Sequence, residues 1–168
     1  FTILPEILDC KEFVNADEIA KGLSPFQPEK VAFEAGRIML DRVDNLLNGK
    51  ENFALETTLS TKSYKHKFLK AKQNGFNVKL LFFWLPTIEM AISRVAIRVS
   101  EGGHNIPKEV IARRYSRGIE NLIKIYIPLC DSWMLLDNEE RPEIIAKGSV
   151  NQEIEIFDKV KWNSISNV

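Results

Sequence analysis

Apolar residues recur at every third or fourth position along four long stretches of the chain, which is the spacing of one face of an α-helix. These stretches lie at 31–47, about 61–74, about 87–100 and 107–128. Glycines follow the first three, and prolines stand at both ends of the fourth, where helices begin and end. The pattern predicts four helices that each pack one face on a core. A further short helix is expected near residues 3–8.

Shorter runs rich in apolar residues lie between the helical stretches and predict strands. Their sequences are EFVNA near 12–16, NFALET near 52–57, NVKLLFFWL at 77–85 and DSWMLLDN at 131–138. Alternating strands and helices are typical of parallel strands joined by crossover helices. We therefore expect an α/β fold, a three-layer sandwich with a mostly parallel sheet, in a single domain over 1–168. The segment at about 142–160 alternates around Gly148 and predicts a two-stranded hairpin or an edge addition.

Composition restricts the classes of function. The 168 residues have 45% hydrophobic content, which is enough for one domain with a sizeable core, and 23 Lys plus Arg balance 23 Asp plus Glu. The balanced charge therefore gives the protein no overall electrostatic attraction to nucleic acid or to an anionic membrane. The longest purely apolar run, 80–85, is too short to span a bilayer, and the two cysteines form no CxxC pair. We expect a cytoplasmic protein.

Three of the four predicted strands finish on an acidic residue, namely Asp17, Glu56 and Asp137. The carboxyl ends of parallel strands line the ligand crevice of an open α/β sheet, so acids at these ends are candidates for chemistry. Each acid also has a structural explanation, as a helix N-cap or as a solvated strand end.

The segment ALETTLS, 54–60, adds hydroxyl groups to one of these acids. Thr57, Thr58 and Ser60 follow Glu56 and are suited to bind a sugar, a phosphate or a metal-bound water. A carboxylate there can hold Mg²⁺ through water or orient an attacking hydroxyl group. The alternative is that Thr58 or Ser60 caps the helix that begins near residue 61.

Arginines concentrate in the stretch at about 94–118, which spans two predicted helices and the turn EGGHN. They are Arg94, Arg98, Arg113, Arg114 and Arg117. Guanidinium groups bind phosphate oxygens in bidentate fashion and stabilise charge in phosphoryl transfer, and glycines let such a segment close as a lid. The alternative is a solvated face with ion pairs to Glu101, Glu109 and Glu120. His104 lies in the turn without a second histidine at metal-ligand spacing, so no zinc site is expected.

Four segments, in this order, resemble the zeta-toxin-like family of P-loop kinases, and the resemblance covers roughly residues 1–138. They are FVNADEIAKGLSPFQPE, FALETTLS, RV-x-x-RV-x-x-GGHNIP and IARRYSRGIENL. The resemblance implies a phosphotransferase that uses ATP or GTP with Mg²⁺. Characterised zeta toxins phosphorylate the 3′-hydroxyl of UDP-N-acetylglucosamine. The resemblance makes this molecule a candidate substrate, with another sugar nucleotide or a small alcohol as alternatives, and it implies an antitoxin protein as a possible partner.

The resemblance also implies roles for individual residues. Asp17 corresponds to the base that takes the proton of the substrate hydroxyl, and Asn138 lies near where such folds hold the nucleotide base. The predicted substrate-binding residues are Glu56, Thr57, Thr58, Arg94 and His104. The arginines expected at the transferring phosphate are Arg98, Arg113 and Arg114, together with Arg94. In better-known zeta toxins an arginine precedes the proline of the lid, whereas here the neighbourhood is Gly103-His104-Asn105.

One departure from the family pattern concerns the phosphates of the nucleotide. A P-loop kinase needs G-x-x-x-x-G-K-[ST], which this sequence does not contain, and Gly49-Lys50 is followed by Glu51. We hypothesise that the natural protein continues upstream through a strand and a Walker A loop. The competing hypothesis is a non-catalytic module that binds a nucleotide or a protein without turnover.

Overall fold

The computed structural model describes residues 10–100, 103 and 105–167, and its contacts divide the chain into two compact units. The first unit ends at Thr57 and the second begins at Thr58. The helix predicted near residues 3–8 and the predicted site residue His104 lie outside the described residues. The assignment of the whole chain to a single domain stays a prediction.

From residue 10 onward, the first unit contains two short strands and two helices. Strand β1 (Phe13–Val14) leads into helix α1 (Ala16–Leu23), and a 3₁₀ turn (Pro28–Val31) leads into helix α2 (Ala32–Gly49). Strand β2 (Ala54–Leu55) pairs with β1 in parallel. Five apolar residues of the face that the spacing predicts are buried in α2, namely Ala35, Met39, Val43, Leu46 and Leu47. Ile38, which the spacing assigns to the same face, is 39% exposed. The helix ends at Gly49, and the left-handed cap is the next residue, Lys50, with φ 54°.

The second unit begins with three helices and one strand. Helix α3 (Tyr64–Gln73) precedes strand β3 (Lys79–Trp84), and helices α4 (Ile88–Ser100) and α5 (Lys108–Asn121) follow it. The helical path of α5 continues through a π-helical turn (Leu122–Tyr126) and a 3₁₀ turn (Ile127–Leu129). Pro128 therefore lies inside the 3₁₀ turn and not at the end of a regular α-helix, which differs from the prediction.

The remainder of the second unit completes a four-stranded sheet with order β3-β4-β5-β6. It comprises strands β4 (Ser132–Asp137), β5 (Glu143–Ser149) and β6 (Glu155–Ile156) and helix α6 (Lys159–Ser166). Strand β4 pairs with β3 in parallel, whereas β5 and β6 extend the sheet in antiparallel fashion. The four strands predicted near residues 12–16, 52–57, 77–85 and 131–138 and the C-terminal hairpin are all present.

The pattern of strands and helices is α/β and is consistent with a P-loop kinase-like fold. Two of the four strand pairings in the described residues are parallel, and two are antiparallel. The predicted β addition at about 142–160 is too long, because Asp158 accepts hydrogen bonds from the backbone of Val160 and Lys161 and thereby starts helix α6. None of the described helices is long and apolar enough to cross a membrane.

A pair of tryptophans packs helix α6 against the sheet. The rings of Trp133 in β4 and Trp162 in α6 stack with their centroids 5.7 Å apart and their planes 12° from parallel. Gly148 in β5 faces the same ring, and a Cβ atom at this position would lie 2.7 Å from Trp133. The glycine is therefore required by the close approach of the indole, since that distance is shorter than van der Waals contact.

Candidate functional site

Asn15 connects the end of strand β1 with the start of helix α1. Its side-chain oxygen accepts hydrogen bonds from the backbone N–H groups of Asp17, at 2.7 Å, and Glu18, at 3.3 Å. Asn15 is therefore the N-cap, and Asp17 lies in the first turn of the helix. The strand ends at Val14, earlier than the sequence pattern predicts, and neither the strand end nor the cap is Asp17 itself.

Glu56 follows strand β2 and is held by the same asparagine. The side-chain amide of Asn15 donates a hydrogen bond to Glu56 Oε2 at 2.7 Å, and the backbone N–H of Glu56 donates to the carbonyl oxygen of Val14 at 3.1 Å. Glu56 is exposed and Asp17 is half-buried. One residue thus connects the two acids predicted as base and substrate ligand, which places both at the carboxyl end of the β1–β2 pair.

Sequence reasoning did not identify Asn15 as part of this site. The signal was present, because an asparagine directly before ADEIA is a typical N-cap, with acids in the following turn. An open cleft beside β1 and α1 is lined by Asn15 and by Arg42, whose guanidinium pairs with Glu12 at 2.6 Å. Neither Asp17 nor Glu56 lines this cleft.

The hydroxyl residues after Glu56 do not cap helix α3. The helix begins at Tyr64, and Thr61 Oγ1 accepts the backbone N–H of Ser63 at 3.2 Å just before it. The structural alternative proposed for Thr58 and Ser60 is therefore not what the structure shows. Their two hydroxyl oxygens instead lie 3.0 Å apart, within hydrogen-bonding distance.

Arg94 lies on helix α4 and contacts the loop that follows strand β4. Its Nη2 donates to the carbonyl oxygens of Asn138 and, at 3.0 Å, of Glu139. The backbone N–H of Asn138 donates to the carbonyl oxygen of Trp84 at 2.9 Å. The structure therefore brings together two residues predicted for different roles, Arg94 for the substrate and Asn138 for the nucleotide.

The remaining arginines lie on the adjacent helices α4 and α5. Arg98, Arg113, Arg114 and Arg117 are all exposed. Glu120 pairs with Lys124 at 3.2 Å, and between 105 and 167 no ion pair joins Arg113, Arg114 or Arg117 to a glutamate. The ion pairs expected for a purely solvated face with Glu109 and Glu120 are thus not formed by these three guanidinium groups. Glu101, like His104, lies outside the described residues.

Asp137, the third acid at a strand end, has a structural partner. The residue is only 5% exposed, and its carboxylate accepts a hydrogen bond from Lys161 Nζ of helix α6. The hydrogen bond to Asp137 raises the pKa of Lys161 above its usual value. For this acid the structural explanation accounts for the burial, because a buried carboxylate needs a partner.

The described residues contain no group of three or more His, Cys, Asp or Glu side chains that would hold a metal ion. Mg²⁺ in phosphotransferases is commonly held by one or two carboxylates together with the phosphates of the substrate. Among the described residues, the exposed carboxylate of Glu56 could hold such an ion through water.

Comparison with known proteins agrees with the segments that carry the resemblance. An uncharacterized protein from Haemophilus influenzae is 30% identical over 102 residues, which covers 61% of this chain and 73% of that protein. No solved structure shows a significant match. The sequence profile of the Zeta toxin family matches residues 11–127, a range that contains Asp17, Glu56 and the five arginines of the stretch at about 94–118. The chain therefore belongs to the zeta toxin family.

Proposed function

We propose that the protein is a phosphotransferase that moves the γ-phosphoryl group of ATP or GTP to a hydroxyl group of a small molecule. Membership of the zeta toxin family supports kinase-like activity of this kind. The observation that carries the proposal is the placement of Glu56 and of the helix turn with Asp17 on opposite sides of the Asn15 side chain. UDP-N-acetylglucosamine is the substrate that we propose first.

In the proposed reaction, Asp17 and Glu56 act on the acceptor. The Asp17 carboxylate takes the proton of the hydroxyl group whose oxygen attacks the γ-phosphorus. The bond from the γ-phosphorus to the bridging oxygen breaks, and the nucleoside diphosphate leaves with the electron pair. Glu56, with Thr57 and Thr58, orients the acceptor, so that much of the rate enhancement comes from placement.

The arginines of α4 and α5 act on the donor. Arg98, Arg113 and Arg114 would bind the oxygens of the transferring phosphate. The exposed guanidinium groups of Arg113 and Arg114, which form no ion pair with a glutamate of the described residues, support this role. Mg²⁺ would bind together with the nucleotide, Glu56 would be the carboxylate that could hold it through water, and the ion would supply positive charge to the phosphates. Asn138 would contact the nucleotide base, and His104 of the lid would contact the substrate.

The fold would be completed as a three-layer sandwich with a mostly parallel sheet. The protein would act in the cytoplasm, without a nucleic-acid or membrane partner. If the product of the phosphotransfer reaction is harmful to the cell, the protein partner would be an antitoxin.

The test is Asp17→Asn in the full-length natural protein, assayed for transfer of phosphate from ATP or GTP to UDP-N-acetylglucosamine. Loss of a general base lowers kcat by about 10²–10⁴-fold. The matched control is Glu18→Gln, because Glu18 is the next acid in the same helical turn and is paired with Lys21 on the surface. Unchanged transfer by Asp17→Asn would remove the base assignment. Nucleotide binding without transfer by the wild-type protein would favour the non-catalytic binding module.

A further inference from the structure

Leu59 adopts a backbone conformation that a branched residue rarely takes. Its φ angle is 56°, in the left-handed region, and its side chain is 1% exposed. Such a conformation is unfavourable for a non-glycine residue and persists only where the surrounding structure holds it. The residue lies between Thr58 and Ser60, in the segment that the sequence singles out for substrate binding.

The helical segment 118–126 holds the loop 58–61 through contacts to the backbone of the loop. Asn121, at the end of α5 and 3% exposed, donates its side-chain amide to the carbonyl oxygen of Leu59 at 2.9 Å. One turn earlier, Gly118 packs against the loop so closely that a Cβ atom would lie 2.6 Å from the carbonyl oxygen of Thr58.

Tyr126 completes the set of contacts to the loop. Its hydroxyl donates to the carbonyl oxygen of Thr61. The π-helical turn 122–126 has more residues per turn than an α-helix, and this brings Tyr126 back toward the side of the helix that carries Asn121. Gly118, Asn121 and Tyr126 thus approach the backbone of the loop. These contacts do not use the hydroxyl side chains of the loop.

The consequence for the loop is a fixed pair of hydroxyl groups. Because Leu59 turns into the core, Thr58 Oγ1 and Ser60 Oγ lie 3.0 Å apart, with Thr58 exposed and Ser60 half-buried. Neither hydroxyl caps helix α3. Two adjacent hydroxyls can each donate and accept hydrogen bonds, which suits a polyhydroxylated ligand such as the sugar of a sugar nucleotide.

We propose that Thr58 and Ser60 together bind the phosphate acceptor, and that Asn121 is the positioning residue that holds this hydroxyl pair in place. The inference rests on the proposed phosphotransferase function and extends it to Ser60, Gly118 and Asn121. Asn121 acts through the backbone of Leu59 and does not touch the substrate. Its loss therefore affects binding of the acceptor and leaves binding of the nucleotide unchanged.

The experiment compares Asn121→Ala with Leu122→Ala in the full-length protein. Leu122 is the next residue, is fully buried and donates no side-chain hydrogen bond, so its truncation reports loss of packing alone. Steady-state kinetics with UDP-N-acetylglucosamine and ATP give separate KM values for acceptor and nucleotide. Hydrogen exchange of the backbone amides at 58–61 reports directly whether the loop is held. Asn121→Ser, which keeps a shorter donor, is the milder variant if the alanine variant does not fold.

For Asn121→Ala we expect a rise of about tenfold or more in the acceptor KM, a nucleotide KM within about twofold of wild type, and faster exchange at 58–61. Asn121→Ser should lie between the alanine variant and the wild type, and Leu122→Ala should leave the ratio of the two KM values unchanged. Equal acceptor KM values for wild type and Asn121→Ala would overturn the inference while the proposed function stands. A wild-type protein that transfers no phosphate would instead overturn the proposed function and this inference with it.

Discussion

Asn15 donates a hydrogen bond to Glu56 across the β1–β2 pair, with the amide nitrogen 2.7 Å from Oε2. The same side chain caps the helix that carries Asp17. An asparagine can do both at once because its side chain has a donor end and an acceptor end. The capping interaction fixes the direction of the amide, and the amide in turn fixes the position of the Glu56 carboxylate.

Replacing Asn15 with alanine removes both interactions. We expect a loss of about 1 kcal/mol in the free energy of unfolding, which is typical for an N-cap, together with lower phosphotransfer because Glu56 is no longer held. Urea unfolding and an assay of transfer measure the two effects.

Asp158→Ala is the matched control, since Asp158 caps helix α6 through the backbone N–H groups of Val160 and Lys161. It should lose stability to a similar extent and keep activity. Equal activity of the Asn15 and Asp158 variants would show that the bond between Asn15 and Glu56 has no part in function.

Structural features that depend on residues close together in the sequence can be predicted from it, whereas features that depend on contacts between distant residues cannot. Most of the buried face of α2 and strands β3 and β4 are predicted correctly, because the helical periodicity of α2 and the apolar runs of the two strands are local and strong signals. The sequence pattern does not predict helix α6, because its cap, Asp158, stands inside a run of alternating residues that continues the β-hairpin pattern.

The parts of the site that sequence reasoning did not find depend on contacts between distant segments. Asn121 reaches Leu59 across 62 positions, and Arg94 reaches Asn138 across 44. No periodicity links such pairs, because they meet only after the helices pack. The left-handed backbone conformation of Leu59 cannot be predicted from the sequence either, since leucine has no preference for that conformation.

Gly148 offers a test of the packing between the sheet and helix α6. We expect Gly148→Ala to lower the free energy of unfolding by about 1–3 kcal/mol, because the added methyl group would lie 2.7 Å from the ring of Trp133. The displaced indole should also lose its stacking on Trp162, which near-ultraviolet circular dichroism would detect.

Gly22→Ala is the control for this substitution. Gly22 lies in helix α1, and a methyl group added there would meet no atom within 4 Å, so alanine should stabilise the protein by about 0.5–1 kcal/mol through helix propensity. A Gly148→Ala variant as stable as wild type would show that the indole pair adjusts without cost.

The buried phenol of Tyr126 predicts a loss of stability at alkaline pH. Burial raises its pKa from 10.0 to about 12. The folded protein therefore holds the phenolic proton more tightly than the unfolded chain does. The resulting stability is present below about pH 10 and falls as the pH rises toward about 12.

Tyr126→Phe isolates this contribution. Near neutral pH the variant should be less stable by about 1 kcal/mol, because the carbonyl oxygen of Thr61 loses its hydrogen bond. Between about pH 10 and 12, ionisation of Tyr126 stabilises the unfolded state of the wild-type protein alone, so the difference between the two proteins should shrink. Cys130, whose pKa burial raises to about 12, titrates in both proteins and cancels in the comparison. Urea unfolding at about pH 8 and about pH 11 measures the difference, and a constant gap would show that the Tyr126 hydroxyl ionises as easily in the folded protein as in the unfolded chain.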